Sequence, residues 1–95
     1  MYSKSTAKFE LGKLVATRGV IEHINEAEEI LYPYIKRHSI GDWGDTCAED
    51  VQVNEDSLKN GGRLMSVYNL PDGKKIWIIT EWNRCVTTIL FPDEY

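Results

Sequence analysis

The clearest hydrophobic pattern lies in the C-terminal third of the chain. Apolar and polar side chains alternate over residues 63–70, and Pro71-Asp72-Gly73 follows as a turn signal. Residues 75–82 are apolar on both faces, and residues 86–91 form a third run after a short turn. This pattern predicts three antiparallel strands in a meander, with residues 75–82 as the central strand.

The N-terminal half predicts one strand followed by helices. Residues 9–16 favour a strand that is interrupted near Gly12. Thr17 can cap a helix over about residues 18–29, and Pro33 predicts a break before a short second helix that Gly41 ends. A polar third helix follows, and the two glycines after Asn60 predict its end.

Together these elements predict an α+β fold. We expect a three- to four-stranded antiparallel sheet, with the C-terminal β-meander at its centre and two or three helices on one face. Residues 1–8 are polar and show no period, so we expect a flexible tail ahead of a single domain over residues 9–95. A length of 95 residues fits one core and no more.

Composition narrows the classes of partner. The net charge of −4 disfavours nucleic acid as a tight partner, because phosphate binding needs a basic surface. The longest apolar run, residues 76–79, is far shorter than the roughly 20 residues that span a bilayer. Cys47 and Cys85 are too few for a disulfide framework, so we expect reduced thiols, a cytoplasmic location and no membrane association.

No metal or cofactor is predicted. The chain lacks the paired Cys and His spacings of zinc sites, and its acidic residues between positions 42 and 55 match no calcium-binding loop. These carboxylates are expected to be solvated groups that favour the start of a helix.

A set of polar side chains has the right types for metal-free RNA cleavage. His38 could act as an acid or base, Arg84 could bind phosphate charge, and Thr87 and Thr88 could donate hydrogen bonds. Small ribonuclease toxins of the barnase-like class share the order of helices first and antiparallel sheet last. The alternative is structural: Arg37 and Arg84 pair with carboxylates, His38 closes a helix, and the threonines are strand formers.

The chain also resembles a family of small bacterial proteins often labelled "plasmid-related protein". The resemblance rests on Gly12-Lys13-Leu14-Val15-Ala16-Thr17, on Arg37-His38 followed by Gly41-Asp42-Trp43-Gly44-Asp45, on Asn54-Glu55, and on residues 63–68, 76–81, 84 and 87–92. It implies occurrence on plasmids or other mobile elements, and it carries no established activity. The family's recurring polar positions correspond to Arg37, His38, Asp42, Trp43, Asp45, Glu55, Arg63, Glu81, Arg84, Thr87 and Thr88.

Three functional hypotheses follow. The preferred one is a non-catalytic accessory protein of a mobile element, which binds a protein partner such as a host defence or nucleic-acid-processing factor. Its binding residues would be Arg37, His38, Asp42, Trp43, Asp45, Arg63, Glu81 and Arg84, centred on the loop at residues 41–45. The alternatives are the metal-free ribonuclease toxin and a silent homodimer that pairs through its exposed aromatic surface.

Overall fold

A mixed four-stranded sheet forms the centre of the structure. The computed structural model describes residues 7–95, and its strands are β1 (Lys13–Ala16), β2 (Leu64–Asn69), β3 (Lys75–Thr80) and β4 (Val86–Leu90). They lie in the order β1-β4-β3-β2. The neighbours β2, β3 and β4 are antiparallel, whereas β1 runs parallel to β4. The predicted α+β fold and its C-terminal meander are therefore confirmed.

In residues 7–95, three helices accompany the sheet: α1 (Arg18–His23), α2 (Tyr32–Ser39) and α3 (Ala48–Asn60). The hydroxyl of Thr17 accepts a hydrogen bond from the backbone N–H of Val20 and so caps α1, as predicted. Pro33 lies in the first turn of α2, where its missing N–H costs nothing. Single 3-10 turns follow at Glu28–Ile30 and Pro92–Glu94.

The hydrophobic core lies between α1, α2 and one face of the sheet. Strand alternation places Tyr68, Ile76, Ile78 and Ile89 on that face, and all four are buried. Val20 of α1, together with Ile24 and Leu31, packs against them. Each such buried aliphatic side chain contributes about 1.5–3 kcal/mol relative to exposure, so this cluster is the main source of stability.

Two predictions about the N-terminal half need correction. The helix predicted over residues 18–29 ends at His23, because Asn25 and Glu26 adopt left-handed backbone angles with φ of 55° and 62°. The resulting turn redirects the chain so that Leu31 reaches the core. The strand predicted from residue 9 begins only at Lys13 and is parallel to its neighbour, since no hairpin fixes its direction.

The predicted tail over residues 1–8 lies mostly outside the described residues, which begin at Ala7. Within the described part, the backbone N–H of Lys8 donates to the carbonyl of Ser39 at 2.8 Å. The chain is therefore already attached to the end of α2 before Phe9.

The outer edge of β2 is closed by the chain itself. The side-chain amide of Asn54 donates to the carbonyl of Met65 at 2.8 Å and accepts from its N–H at 3.0 Å. Further along the strand, the N–H of Val67 donates to Trp43 at 3.1 Å, and its carbonyl accepts from Asp45 at 2.6 Å. Helix α3 and the loop at residues 41–45 thus occupy the groups through which an edge strand would otherwise pair with another chain.

Gly44 is required for this closure. Its φ is +70°, and a Cβ at this position would lie 2.1 Å from the carbonyl oxygen of Val67. Gly61 has a similar φ of +82°, but a Cβ there would meet nothing within 4 Å. Alanine substitutions at Gly61 and Gly44 therefore distinguish two free-energy costs. Both place alanine at a positive φ, and only the substitution at Gly44 also brings a Cβ against β2.

We expect Gly61→Ala to lower the free energy of unfolding by about 1–2 kcal/mol, because alanine is strained at a φ of 82° and a ψ of 144° even where its Cβ meets no other atom. Gly44→Ala should lower it by about 3 kcal/mol or more, because the loop must also move away from β2. Urea denaturation of both variants measures the difference. Equal losses in the two variants would contradict the role assigned to the loop.

Candidate functional site

His38 lies at the centre of a buried hydrogen-bond network. Its Nδ1 is 2.5 Å from the hydroxyl of Ser66 on β2, and its Nε2 is 2.9 Å from the hydroxyl of Thr80 on β3. The Thr80 hydroxyl lies 2.7 Å from that of Thr87 on β4, which donates to the carbonyl of Leu11 at 2.7 Å. The four side chains are fully or almost fully buried, so the network joins α2, three strands and the N-terminal segment inside the protein.

The last bond of the network fixes the direction of every other bond. A carbonyl can only accept, so Thr87 must donate to Leu11 and accept from Thr80. Thr80 must then accept from the imidazole, which places the proton of His38 on Nε2. Nδ1 is left as an acceptor for the hydroxyl of Ser66. His38 is therefore held as one neutral tautomer.

Burial also keeps His38 neutral. Desolvation disfavours the imidazolium and lowers the pKa of His38 to about 3. No carboxylate hydrogen-bonds to the ring within residues 7–95 to offset that cost. At neutral pH the side chain is thus a hydrogen-bonding part of the core.

Arg37, the neighbour of His38 on α2, takes part in a surface cluster. Its guanidinium bonds to the carboxylate of Asp42 at 2.8 and 3.3 Å and lies over the ring of Tyr68, 4.7 Å from the centroid. This hydrogen bond lowers the pKa of Asp42 and raises that of Arg37. The hydroxyl of Tyr68 donates to the backbone carbonyl of Asp42 at 2.5 Å. Burial raises the pKa of Tyr68 to about 12. The cluster fixes the start of the loop.

Trp43 is a buried anchor of the same loop. Its side chain is only 5% exposed, and its indole N–H donates to the carboxylate of Glu55 on α3 at 2.9 Å. The ring packs near those of Phe9 and His38, with centroid separations of 6.2 and 5.8 Å. Trp43 therefore fastens the loop to α3 and to the N-terminal segment, and its ring is not presented to solvent.

The other three predicted binding residues, Asp45, Arg63 and Glu81, take no part in the buried hydrogen-bond network of His38. Asp45 forms an ion pair with Lys75 at 3.3 Å on the exposed side of the β2 edge. The guanidinium of Arg63 hydrogen-bonds to the hydroxyl of Tyr95 and lies 5.3 Å from the centroid of that ring. The backbone carbonyl of Glu81 accepts hydrogen bonds from Arg84.

Arg84 fastens the β3–β4 turn to the end of α3. Its guanidinium donates to the carbonyls of Gly62 at 2.6 Å, of Glu81 at 3.1 Å, and of Ser57 at 3.1 Å. The carbonyl of Ser57 belongs to the last turn of α3, where positive side chains are stabilising. The turn places Arg84 itself at a φ of +60°. The guanidinium of Arg84 thus satisfies carbonyl groups at the end of α3 and in the β3–β4 turn.

The geometry does not favour the ribonuclease arrangement. Such a site needs His38, Arg84 and a threonine hydroxyl to converge in an open cleft. His38 and Thr87 do belong to one network, but it is buried. Arg84 bonds to backbone carbonyls outside that network, and Thr88 points to the opposite face of the sheet from Thr87. These positions favour structural roles for the four residues, but the roles differ from those predicted: Arg84 bonds to backbone carbonyls and not to carboxylates, and His38 bonds to strand hydroxyls.

The exposed edge of β1 differs from the closed edge of β2. Along β1, Lys13 and Thr17 donate their N–H groups to Cys85 and Ile89, at 2.9 and 3.0 Å. Strand alternation then directs the N–H and carbonyl groups of Leu14 and Ala16 away from β4, toward the free side. This edge is the part of the described sheet at which another strand could be added.

A groove accompanies this edge on the helix side. Two adjoining clefts of about 230 and 300 Å³ share Leu14, Tyr32 and Ile35 in their walls. The β1–α2 groove, as we call it, is lined by Leu11, Leu14, Ala16, Ile21, Tyr32 and Ile35. The side chains of Leu14 and Tyr32 are 47% and 59% exposed, so the groove presents apolar surface beside an open strand.

Comparison with known proteins gives no family for the chain. No protein-family model, curated protein or solved structure is significantly similar to it. The resemblance to the plasmid-related family stays a prediction. Within residues 7–95, no three His, Cys, Asp or Glu side chains are grouped so that they could hold a metal ion. No helix of the described residues is long and apolar enough to cross a membrane.

Sequence reasoning missed Ser66 and Thr80, which bond directly to His38. A signal was present, because Ser66 lies between Leu64 and Tyr68, and Thr80 follows Ile78, at positions that face the core. A hydroxyl on the buried face of a strand needs a partner. The β1–α2 groove was also missed, since it depends on the pairing of β1 with a strand about 70 residues away.

Removing one hydroxyl tests the buried network. We expect Thr87→Val to lower the free energy of unfolding by about 1–3 kcal/mol, because Thr80 and the Leu11 carbonyl lose a buried partner. Thr88→Val, on the opposite face, is the matched control and should change stability by about 0.5 kcal/mol or less. Chemical denaturation compares them. A similar effect of both substitutions would contradict the network.

The depressed pKa of His38 predicts acid sensitivity. As pH falls from about 6.5 toward 3, the unfolded chain protonates this imidazole and the folded protein does not. His38 therefore lowers the free energy of unfolding by up to about 1.4 kcal/mol per pH unit over this range.

His38→Gln should be less stable than wild type at pH 7 but should lose less stability between pH 7 and pH 4.5. His23→Gln removes an exposed histidine and serves as the control that keeps the His38 contribution. Urea denaturation at several pH values gives the curves. If His38→Gln loses as much stability as wild type over the range, His38 is not the group responsible.

Proposed function

We propose that this chain is a non-catalytic protein-binding module that acts through the open edge of β1 and the β1–α2 groove. Among the described residues, the backbone N–H and carbonyl groups of Leu14 and Ala16 lie unpaired at the same edge as the exposed apolar side chains of Leu14 and Tyr32, and this observation carries the proposal. Strand addition at a free edge is a common way to bind a protein, in which main-chain bonds give affinity and side-chain pockets give specificity.

Several of the predicted binding residues are buried or bonded within the chain, which supports a binding surface elsewhere on the protein. His38 and Trp43 are buried, and the charges of Arg37 and Arg84 are engaged within the chain. The loop at residues 41–45, which the sequence predicts as the binding surface, closes the edge of β2. The exposed apolar groups at β1 are therefore better candidates for contact with a protein than this loop.

The resemblance adds an origin on plasmids or other mobile elements, and with it a host factor as one class of partner. Both remain part of the proposal. A cytoplasmic location fits the same proposal, since the two cysteines are free and exposed in the structure.

A photo-crosslinking amino acid at position 32 tests the binding surface. It is introduced in place of Tyr32, and the same probe in place of Tyr95 is the matched control, because these tyrosines are 59% and 68% exposed. We expect irradiation in a bacterial lysate to give discrete crosslinked products from position 32 and not from position 95.

Two results would contradict the proposal. The first is the absence of products at position 32, or equal products at both positions. The second is cleavage of RNA by the purified protein that His38→Ala abolishes while leaving the fold intact, which would restore the nuclease hypothesis.

A further inference from the structure

We infer that the strand which occupies the open edge of β1 is β1 of a second copy of this chain, paired antiparallel about a twofold axis at Val15. The inference rests on the proposed function, because it names the partner of the same edge. It joins two four-stranded sheets into one continuous sheet across the axis.

The main chain of β1 is complementary to itself. Leu14 and Ala16 both direct their N–H and carbonyl groups to the free side. With the axis at Val15, Leu14 of one copy lies opposite Ala16 of the other, and each pair exchanges both of its hydrogen bonds. A twofold contact uses the same patch on both copies, so both sets of unpaired groups are satisfied together.

The side chains fit the same arrangement. Val15, which is 38% exposed on the face of the sheet opposite α1 and α2, would meet its own copy at the axis. On the helix face, the large Leu14 lies opposite the small Ala16 of the second copy, which leaves room for Leu14 in the joined grooves. Tyr32 and Ile35 on α2 then cover this apolar region from both sides.

Charges at the ends of the groove are also complementary under the twofold. Lys36 lines the end near Leu11, before β1, and Glu28 lines the end near Ala16, where β1 finishes. Antiparallel pairing brings the beginning of one β1 to the end of the other. Lys36 of each copy is thereby placed toward Glu28 of the other, which favours this direction over the parallel one.

The closed edge of β2 explains why the assembly stops at two copies. In the described residues, Asn54 and the loop at residues 41–45 already occupy the free side of β2. Pairing through β1 therefore consumes the open edge on each copy and leaves none for further addition. A twofold contact of this kind forms a closed dimer and not a fibre.

Sedimentation of the purified chain over a concentration series up to about 0.5 mM tests the dimer, with circular dichroism to check folding. We expect wild type to be a dimer, and Tyr32→Glu and Leu14→Lys to weaken association by about tenfold or more. Tyr95→Glu and Val53→Lys are the matched controls, exposed by 68% and 56%, and should remain dimeric. A wild type that is monomeric throughout, or a dimer that only the controls weaken, would overturn the inference.

Amide hydrogen exchange locates the contact directly. We expect the N–H groups of Leu14 and Ala16 to become protected as the dimer forms. The N–H groups of Lys13 and Thr17 donate to Cys85 and Ile89 of the same copy and should be protected at any concentration. Unchanged exchange at Leu14 and Ala16 in a dimeric sample would overturn the inference. A purified monomer that still crosslinks in lysate from position 32 overturns the inference alone, whereas the absence of such crosslinks overturns the proposed function as well.

Discussion

The buried imidazole of His38 is the interaction on which the arrangement of the other elements depends. A polar ring in the core is tolerated only when both nitrogens have partners, and here they are Ser66 and Thr80 on adjacent strands. Thr87 extends the network to Leu11 and so holds the segment that leads into β1. Across residues 7–95, no buried side-chain nitrogen or oxygen lacks a hydrogen-bond partner. The network thus sets where α2 lies on the sheet.

The position of α2 has two consequences for the surface. On one side, Arg37 contacts Asp42 and Tyr68 and so holds the start of the loop at residues 41–45, which covers the outer edge of β2. On the other side, Tyr32 and Ile35 stand beside β1 and form the groove. The two edges of the described sheet therefore differ. The outward backbone groups of Met65 and Val67 on β2 are hydrogen-bonded within the chain, whereas those of Leu14 and Ala16 on β1 lie open beside apolar side chains. This asymmetry is the physical basis of the proposed binding role.

Local patterns in the sequence predicted the parts of the fold that depend on local chemistry. Alternation and the turn at Pro71-Asp72-Gly73 predicted the meander, and Thr17 predicted the start of α1. The parallel pairing of β1 was not predicted, because it depends on contacts between distant parts of the chain. The left-handed turn at Asn25 was missed because the apolar spacing continues past it.

The sequence marks the candidate residues by their chemistry, yet sequence alone could not assign their roles. His38 and Arg84 have the same side chains whether they face a cleft or the interior, and only burial and partners distinguish the two cases. In the structure, the imidazole is satisfied by hydroxyls and the guanidinium by carbonyls. Chemistry that suits a catalytic site is here used to hold elements together.

The most direct test of this account is the NMR spectrum of the His38 imidazole, with its nitrogens labelled, recorded from pH 7.5 down to pH 4.5. The account predicts a single neutral tautomer with the proton on Nε2 throughout this range, because burial lowers the pKa to about 3. Titration with a midpoint near the ordinary value of about 6.5 would contradict it, since that result would place the ring in contact with solvent and remove the buried network.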